Sequence, residues 1–304
     1  MRIITFEANW QRHWGAILGE YAVDLNLAHA LFLASRSRDP KYLANTVLEF
    51  IQHGPEMWDQ ARETLEFIGE RFVEGVMFPL SRTRLLAPMA RPPKIVAIGR
   101  NYMEHVLEQN AQVTKTPILF AKYPSSVIGP TDVIRLHTEQ AQKVDYEGEL
   151  GVVIGRPASQ VSAAEALDYV FGYTVVNDVS ARDLQYSPDV GGQWTRGKSL
   201  DTYCPMGPAI VTQDQVPDPQ NLHLHSTLNG SIVQDGNTRD MIVDVAHLIE
   251  FISHGITLEP GDIIATGTPS GVGHHRQPPV YLTAGDVIEV EIDGVGWIRN
   301  PVED

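Results

Sequence analysis

Acidic side chains gather where the chain reads Val-Asp-Tyr-Glu-Gly-Glu-Leu-Gly-Val-Val-Ile, residues 144–154. Glu147 and Glu149 stand two apart, so on a strand both project from one face, about 7 Å apart by strand rise. Carboxylates that close raise each other's pKa unless a cation lies between them. All-oxygen donors favour a hard ion such as Mg²⁺, Mn²⁺ or Ca²⁺ over zinc or copper. Asp178 ends the β-branched run Gly172-Tyr-Thr-Val-Val-Asn-Asp and would bring a third carboxylate to a sheet edge. Three such ligands leave octahedral positions for water and a chelating substrate. An isolated pair of glutamates two apart also suits a solvent-facing strand, so spacing alone leaves both readings open.

His105 and Glu108 lie in Gly-Arg-Asn-Tyr-Met-Glu-His-Val-Leu-Glu, residues 99–108. On a helix, positions three apart share a face, so the glutamate would orient the imidazole and raise its basicity, making a general base. A surface His beside a surface Glu on an amphipathic turn is the plainer alternative. The Gly-rich run Gly261-Asp-Ile-Ile-Ala-Thr-Gly-Thr-Pro-Ser-Gly-Val-Gly273 lacks both the P-loop lysine and the dinucleotide-binding spacing, which argues against a nucleotide. Backbone amides with the Thr268 hydroxyl would suit a substrate carboxylate, or the run is a structural turn.

Short β-branched segments must position these groups. Ile95–Ile98, Leu150–Ile154, Tyr173–Val176, Ala209–Val211, Asp262–Thr266 and Val287–Ile292 read as strands separated by Gly, Pro, Asn and Asp. Upstream, Arg2–Phe6 alternates like a strand and pairs in expectation with Trp14–Leu25 as a hairpin. Residues 41–76 carry helical spacing, interrupted near Gly54-Pro55, which predicts two helices. Three prolines in residues 86–93 disfavour helix and read as a linker. We therefore expect a small N-terminal domain over 1–85 and a mainly β domain over 92–304.

Twenty-three basic against thirty-eight acidic residues give a net charge of −15, which repels nucleic acid and anionic membranes. A small anionic substrate would need a local cation. The lone Cys204 excludes an internal disulfide and a cysteine-based zinc site. No apolar stretch reaches the roughly 18 residues of a membrane span, and the N-terminus lacks a signal-type run, so a cytoplasmic location is expected.

The motifs GRNYMEH, DYEGELGVVIG, FGYTVVNDVSARDLQ, RGKSLDTYCPMGP and LEPGDIIATGTPSGVG together resemble the fumarylacetoacetate hydrolase family, in the family's order and across residues 94–304. The resemblance implies an α+β, mainly β fold, a rolled β-sheet catalytic domain carrying a small α/β N-terminal domain. It implies Mg²⁺ or Mn²⁺ held by Glu147, Glu149 and Asp178, with Lys198 near the metal. Arg182 and Gln185 match residues at the substrate's oxo-acid end, Thr268 matches a carboxylate-binding threonine, and Lys122 falls where acylpyruvase-like members have lysine. His105 and Glu108 match a dyad borne on a lid.

The implied reaction is hydrolysis of a C–C bond in an acylpyruvate or related diketo acid, with oxaloacetate decarboxylation as the alternative and hydroxymuconate-type isomerisation or a non-catalytic scaffold behind it. The family's mammalian namesake has a further metal carboxylate shortly before its histidine. Here Ile98-Gly99-Arg100 stands there, which points away from fumarylacetoacetate itself. A homodimer through the β-rich domain is implied as well, and residues 186–194 and 274–279 are expected to line the distal pocket.

Overall fold

The computed structural model describes residues 1–69, 72–114 and 116–304 and contains two large sheets packed face to face, with a two-stranded ladder of Val144–Asp145 and Ser180–Ala181 beside them. The main sheet runs Met77–Pro79, Tyr21–Asp24, Gln11–Leu18, Arg2–Ala8, Cys204–Thr212, Val170–Asn177, Gly148–Ile154, Ile263–Ala265, Ile95–Gly99, Ile118–Lys122. Five further strands, ordered Ser231–Asn237, His223–Leu228, Val287–Ile292, Gly296–Glu303, Ile134–Arg135, pack across one face of it. The fold is mixed and mostly sheet, as expected. All six strands read from the second half of the sequence are present, Ile263–Ala265 being the shortest.

Strand alternation explains the layers. Leu150, Val152 and Ile154 join Leu224, Val290, Ile292 and Ile298 between the two sheets, while Val153, one position out of phase, meets Phe50, Trp58 and Phe171 on the opposite face. Truncating any of these fully buried aliphatics to alanine costs about 2–5 kcal/mol. Gly148 belongs to the inner face, where an added Cβ would come within 2.6 Å of Ser226 Oγ and 2.8 Å of Val290 Cγ1. The glycine between the two glutamates thus lets the strand press onto the second sheet.

The opposite face is covered by helices from the N-terminal part. Val47–Gln52 and Pro55–Ile68 are the two predicted helices, divided at Gly54, which takes φ 80°; residues 70 and 71 of the predicted helical stretch lie outside the described residues. The expected hairpin is a meander of Arg2–Ala8, Gln11–Leu18 and Tyr21–Asp24. Leu25–Ser35 is an unpredicted helix. Its sequence is apolar nearly all round, which hid the helical period, and Asp24 caps it through Leu27 N at 2.9 Å. Arg2 and Ile3 pair with Val211 and Ile210, so the main sheet passes across the proline-rich segment that we propose as the domain boundary. Among the described residues no helix is long and apolar enough to cross a membrane.

Candidate active site

Strands Gly148–Ile154 and Val170–Asn177 are antiparallel neighbours, with Gly148 opposite Asn177, so the start of one and the end of the other coincide. The Asn177 side chain accepts from Glu147 N at 3.0 Å, and Asp178 N donates to the Glu147 carbonyl at 2.8 Å. This juxtaposition brings Glu147, Glu149 and Asp178 together, each offering a carboxylate oxygen within 4.8 Å of the others. All three are buried.

Cations surround the triad. Lys198 Nζ lies 2.6 Å from Glu147 Oε2 and 2.7 Å from Asp178 Oδ2. Lys122 Nζ lies 2.6 Å from Asp178 Oδ1 and also donates to the Lys198 carbonyl. Arg182 reaches Glu147 Oε1 at 2.7 Å and Asp145 Oδ2 at 2.8 Å, and donates to Gln185 Oε1 at 3.0 Å. Asp145 in turn accepts from Gly273 N and His274 N. Lys122 is buried, 1% exposed, so its ammonium is committed to Asp178 and the Lys198 carbonyl.

The two glutamates titrate in opposite directions. Burial alone would raise Glu147, but Lys198 and Arg182 overcome it and hold the carboxyl down to about 2. Burial, then Asp178 and Glu147, push Glu149 well above the usual carboxylate range. Glu149 Oε2 accepts from Gly267 N at 2.9 Å, while Oε1 is buried with no partner among the described residues. Four carboxylates here face three cationic side chains, and one carboxylate oxygen is unsatisfied. A hard divalent cation fits that oxygen-only donor set and would relieve the raised Glu149.

His105 and Glu108 meet on one helix face, as spacing three apart allows. Helix Met103–Glu108 places His105 Nδ1 2.5 Å from Glu108 Oε1. Glu108 Oε2 is anchored by Gly271 N at 2.9 Å, which ties the dyad to the Gly-rich run. Thr268 donates to the Gly148 carbonyl at 2.8 Å and accepts from Gln234 Nε2 at 2.7 Å, so its hydroxyl is already engaged. His105, Gln109, Glu147, Gln185, Tyr186, Trp194, Lys198 and Thr268 line one small cavity of about 10 Å³, room for about one water.

Tyr186 and Trp194 bound the expected distal segment and do line that cavity, and His274 stacks on Tyr186 with ring centroids 5.7 Å apart. The side chain of residue 190 lies outside the described residues. Sequence reasoning missed Asp145, Gln234, Arg100 and Gln109. Asp145 carries a signal, an acid two positions before Glu147 in the same motif; Gln234 lies in a half-exposed strand with no pattern of its own.

The residues 94–303 match the family described as Fumarylacetoacetate (FAA) hydrolase C-terminal. Among curated proteins, the mitochondrial oxaloacetate tautomerase fahd2 of Xenopus laevis is 45% identical over 265 residues, covering 84% of this chain and 82% of that protein. Oxaloacetate tautomerase YisK of Bacillus subtilis is 42% identical over 257 residues, covering 84% and 83% respectively. Among solved structures, a fumarylacetoacetate hydrolase from psychrophilic Exiguobacterium antarcticum superposes with a TM-score of 0.82 at 38% identity, covering 100% of this chain and 99% of that one. A mixed, mostly β fold with a buried three-carboxylate centre defines the class, and the chain belongs to the fumarylacetoacetate hydrolase family.

Proposed function

We propose that the protein is a Mg²⁺- or Mn²⁺-dependent tautomerase that interconverts the keto and enol forms of oxaloacetate. The observation that carries this reading is that His105, paired with Glu108, and Glu147 of the acid cradle line the same small cavity. A base beside an acid cradle suits a proton transfer, and because the cavity holds only about one water, substrate would enter by displacing the residues that close it. The names of the frog and Bacillus relatives favour oxaloacetate over the acylpyruvate hydrolysis expected from sequence.

A divalent ion on Glu147, Glu149 and Asp178 would supply electrophilic stabilisation for negative charge on the substrate's 2-oxo oxygen. His105 Nε2 accepts the proton from C3. The C–H electrons become the C2–C3 double bond, and the oxygen at C2 takes up a proton, so keto and enol forms differ only in where that proton sits. Glu108 orients the ring and stabilises the imidazolium that forms. Lys198 and Arg182 keep Glu147 ionised, and Lys122 holds Asp178. Tyr186 and Trp194 limit access of water to the cavity.

Hydrolysis of an acylpyruvate is the second reading, favoured by the full-length similarity to a solved fumarylacetoacetate hydrolase. Decarboxylation of oxaloacetate would draw on the same enolate. Three parallel assays separate them: decay of enol-oxaloacetate absorbance, pyruvate from oxaloacetate, and pyruvate from acetylpyruvate. Enol exchange should exceed both others by more than about tenfold, roughly 1.4 kcal/mol of transition-state discrimination. Pyruvate release as the fastest process would replace the tautomerase with a decarboxylase or a hydrolase, according to which substrate yields it. We also propose a homodimer through the β-rich part; light scattering that returns only the 33.7 kDa chain mass would refute it.

A further inference from the structure

His105 reaches the cavity with both ring nitrogens occupied. Nδ1 faces Glu108 at 2.5 Å, and Nε2 lies 2.7 Å from the Gln109 side-chain nitrogen. Arg100 Nε donates to Gln109 Oε1 at 2.9 Å. Arginine is a donor only, so this contact fixes the amide with its oxygen toward Arg100 and its NH₂ toward the imidazole. His105 Nε2 must then be the acceptor and Nδ1–H the donor to Glu108, an assignment made from the hydrogen-bond network. Arg100 holds this position from left-handed backbone at φ 58°, a conformation that costs a non-glycine residue and tends to persist where a site demands it.

We propose that Gln109 is a positioning residue that sets specificity: its amide stands where a hydrolytic water would have to stand, and so reserves His105 for proton exchange with carbon. The inference rests on the tautomerase reading. A water about to be deprotonated must come within about 2.6–3.2 Å of the Nε2 lone pair. The Gln109 nitrogen already takes that place, 2.7 Å from Nε2. The C4 carboxylate of oxaloacetate, which acetylpyruvate lacks, can displace the amide, because its charged hydrogen bonds to the Arg100 fork outcompete those of a neutral amide. Water carries no charge and cannot. Gln109 caps the short helix Met103–Glu108, so a small shift of the lid carries the side chain off the base.

The test compares wild type with Gln109→Ala and Gln109→Leu, each loaded with Mg²⁺. In the hydrolytic step water adds at C4 of acetylpyruvate, the C3–C4 bond breaks, C3 takes a proton, and acetate and pyruvate leave. Gln109→Ala vacates the position and should raise the ratio of acetylpyruvate hydrolysis to oxaloacetate enol exchange by about tenfold or more, with ¹⁸O from labelled water appearing in acetate. Gln109→Leu keeps the bulk and should leave that ratio within about threefold of wild type while slowing enol exchange. An unchanged ratio in the alanine variant, or equal ratios in both variants, overturns the inference. The wild-type enzyme measured alone tests the tautomerase reading, so the two failures are distinguishable. The near-isosteric leucine variant, with a melting curve matching wild type, guards against a result caused by misfolding.

Discussion

Glu149 enters the site from a strand buried on both faces, whereas His105 enters from a six-residue helix whose outward side chains Met103 and Leu107 are 44% and 63% exposed. The acid cradle is over-determined. Glu147 is held by Lys198, Arg182 and Asn177, and Asp178 by Lys198 and Lys122. The lid rests on a few contacts: Glu108 with Gly271 N, Glu104 with Ser270 at 3.1 Å, and Arg100 with Gln109. Local stability follows buried contacts, so the two ends of the site should open with different free energies. On the proposed function, the electrophilic end would stay fixed and the proton-transfer end would move, as a lid does when it encloses a small substrate and releases product.

The largest effect is expected from attacking the fixed end. Glu147→Gln removes one anion from the triad and should lower turnover by about 10³-fold or more, consistent with several kcal/mol of electrophilic stabilisation. The fold should survive, because Lys198 retains Asp178 and Arg182 retains Asp145. Calorimetry with Mg²⁺ or Mn²⁺ and a melting curve read both halves. Full activity after exhaustive chelation, or restoration by Zn²⁺ alone, would remove the metal from the account.

At the mobile end, His105→Ala should cost about 10²–10⁴ in enol exchange, the usual worth of a general base, and leave metal binding unchanged. A loss below about tenfold would move the proton-transfer role to another group. Gly271→Ala probes the joint between the two ends. Its φ of 103° is left-handed, and an added Cβ would stand 2.1 Å from the Val233 carbonyl oxygen. We expect about 1–3 kcal/mol of destabilisation and a fall in kcat through the Gly271–Glu108 bond. A destabilised variant with unaltered kcat would show that this bond does not place the lid.

The same contrast explains how far the sequence could be read. Spacing left the cradle open, since two glutamates two apart also suit a solvent-facing strand, and it was the combined motifs of the family resemblance that singled out Glu147, Glu149 and Asp178; Glu147 itself lies just before strand Gly148–Ile154. The His105–Glu108 pair was legible from helical spacing. Arg182 and Lys122 were read as substrate contacts, yet their charges are taken up by Asp145, Glu147 and Asp178. Chain order does not reveal which acid a buried cation meets across a fold. Gln109 and Arg100 escaped notice for a related reason: their contact joins residues nine apart across a short helix, and Gln109 meets His105 only through the side chain that this contact orients. Helix Leu25–Ser35 was hidden by its apolar composition: only the face of Leu25, Ala28, His29, Phe32 and Leu33 is buried, but apolar Leu27, Leu31 and Ala34 outside that face blur the period.

The smallest effect is expected from pH, acting on the loop that faces the lid. His275 lies with its ring centroid 6.2 Å from that of His105, and its Nε2 is buried with no partner among the described residues. Burial first, then His274 and Arg182, depress its pKa from the usual 6.5 to about 4. A depressed histidine is neutral when folded and takes up a proton when unfolded anywhere between those two values. The unfolded state therefore binds more protons in that window, and stability must fall as pH drops from about 6.5 toward about 4, with no contribution above it. At 1.36 kcal/mol per unit the full shift would be worth roughly 3 kcal/mol, but the ring is only half-buried and solvent screening brings this to about 1 kcal/mol. Melting curves of wild type and His275→Gln between about pH 7 and about pH 5 should converge as the pH falls, the variant lacking this part of the acid-side slope. If the two proteins keep a constant difference across the window, His275 is not the group that titrates. If enol exchange by wild type fails at a higher pH than the fold does, while the glutamine variant keeps its activity there, protonation next to the lid loosens the mobile end before the cradle gives way.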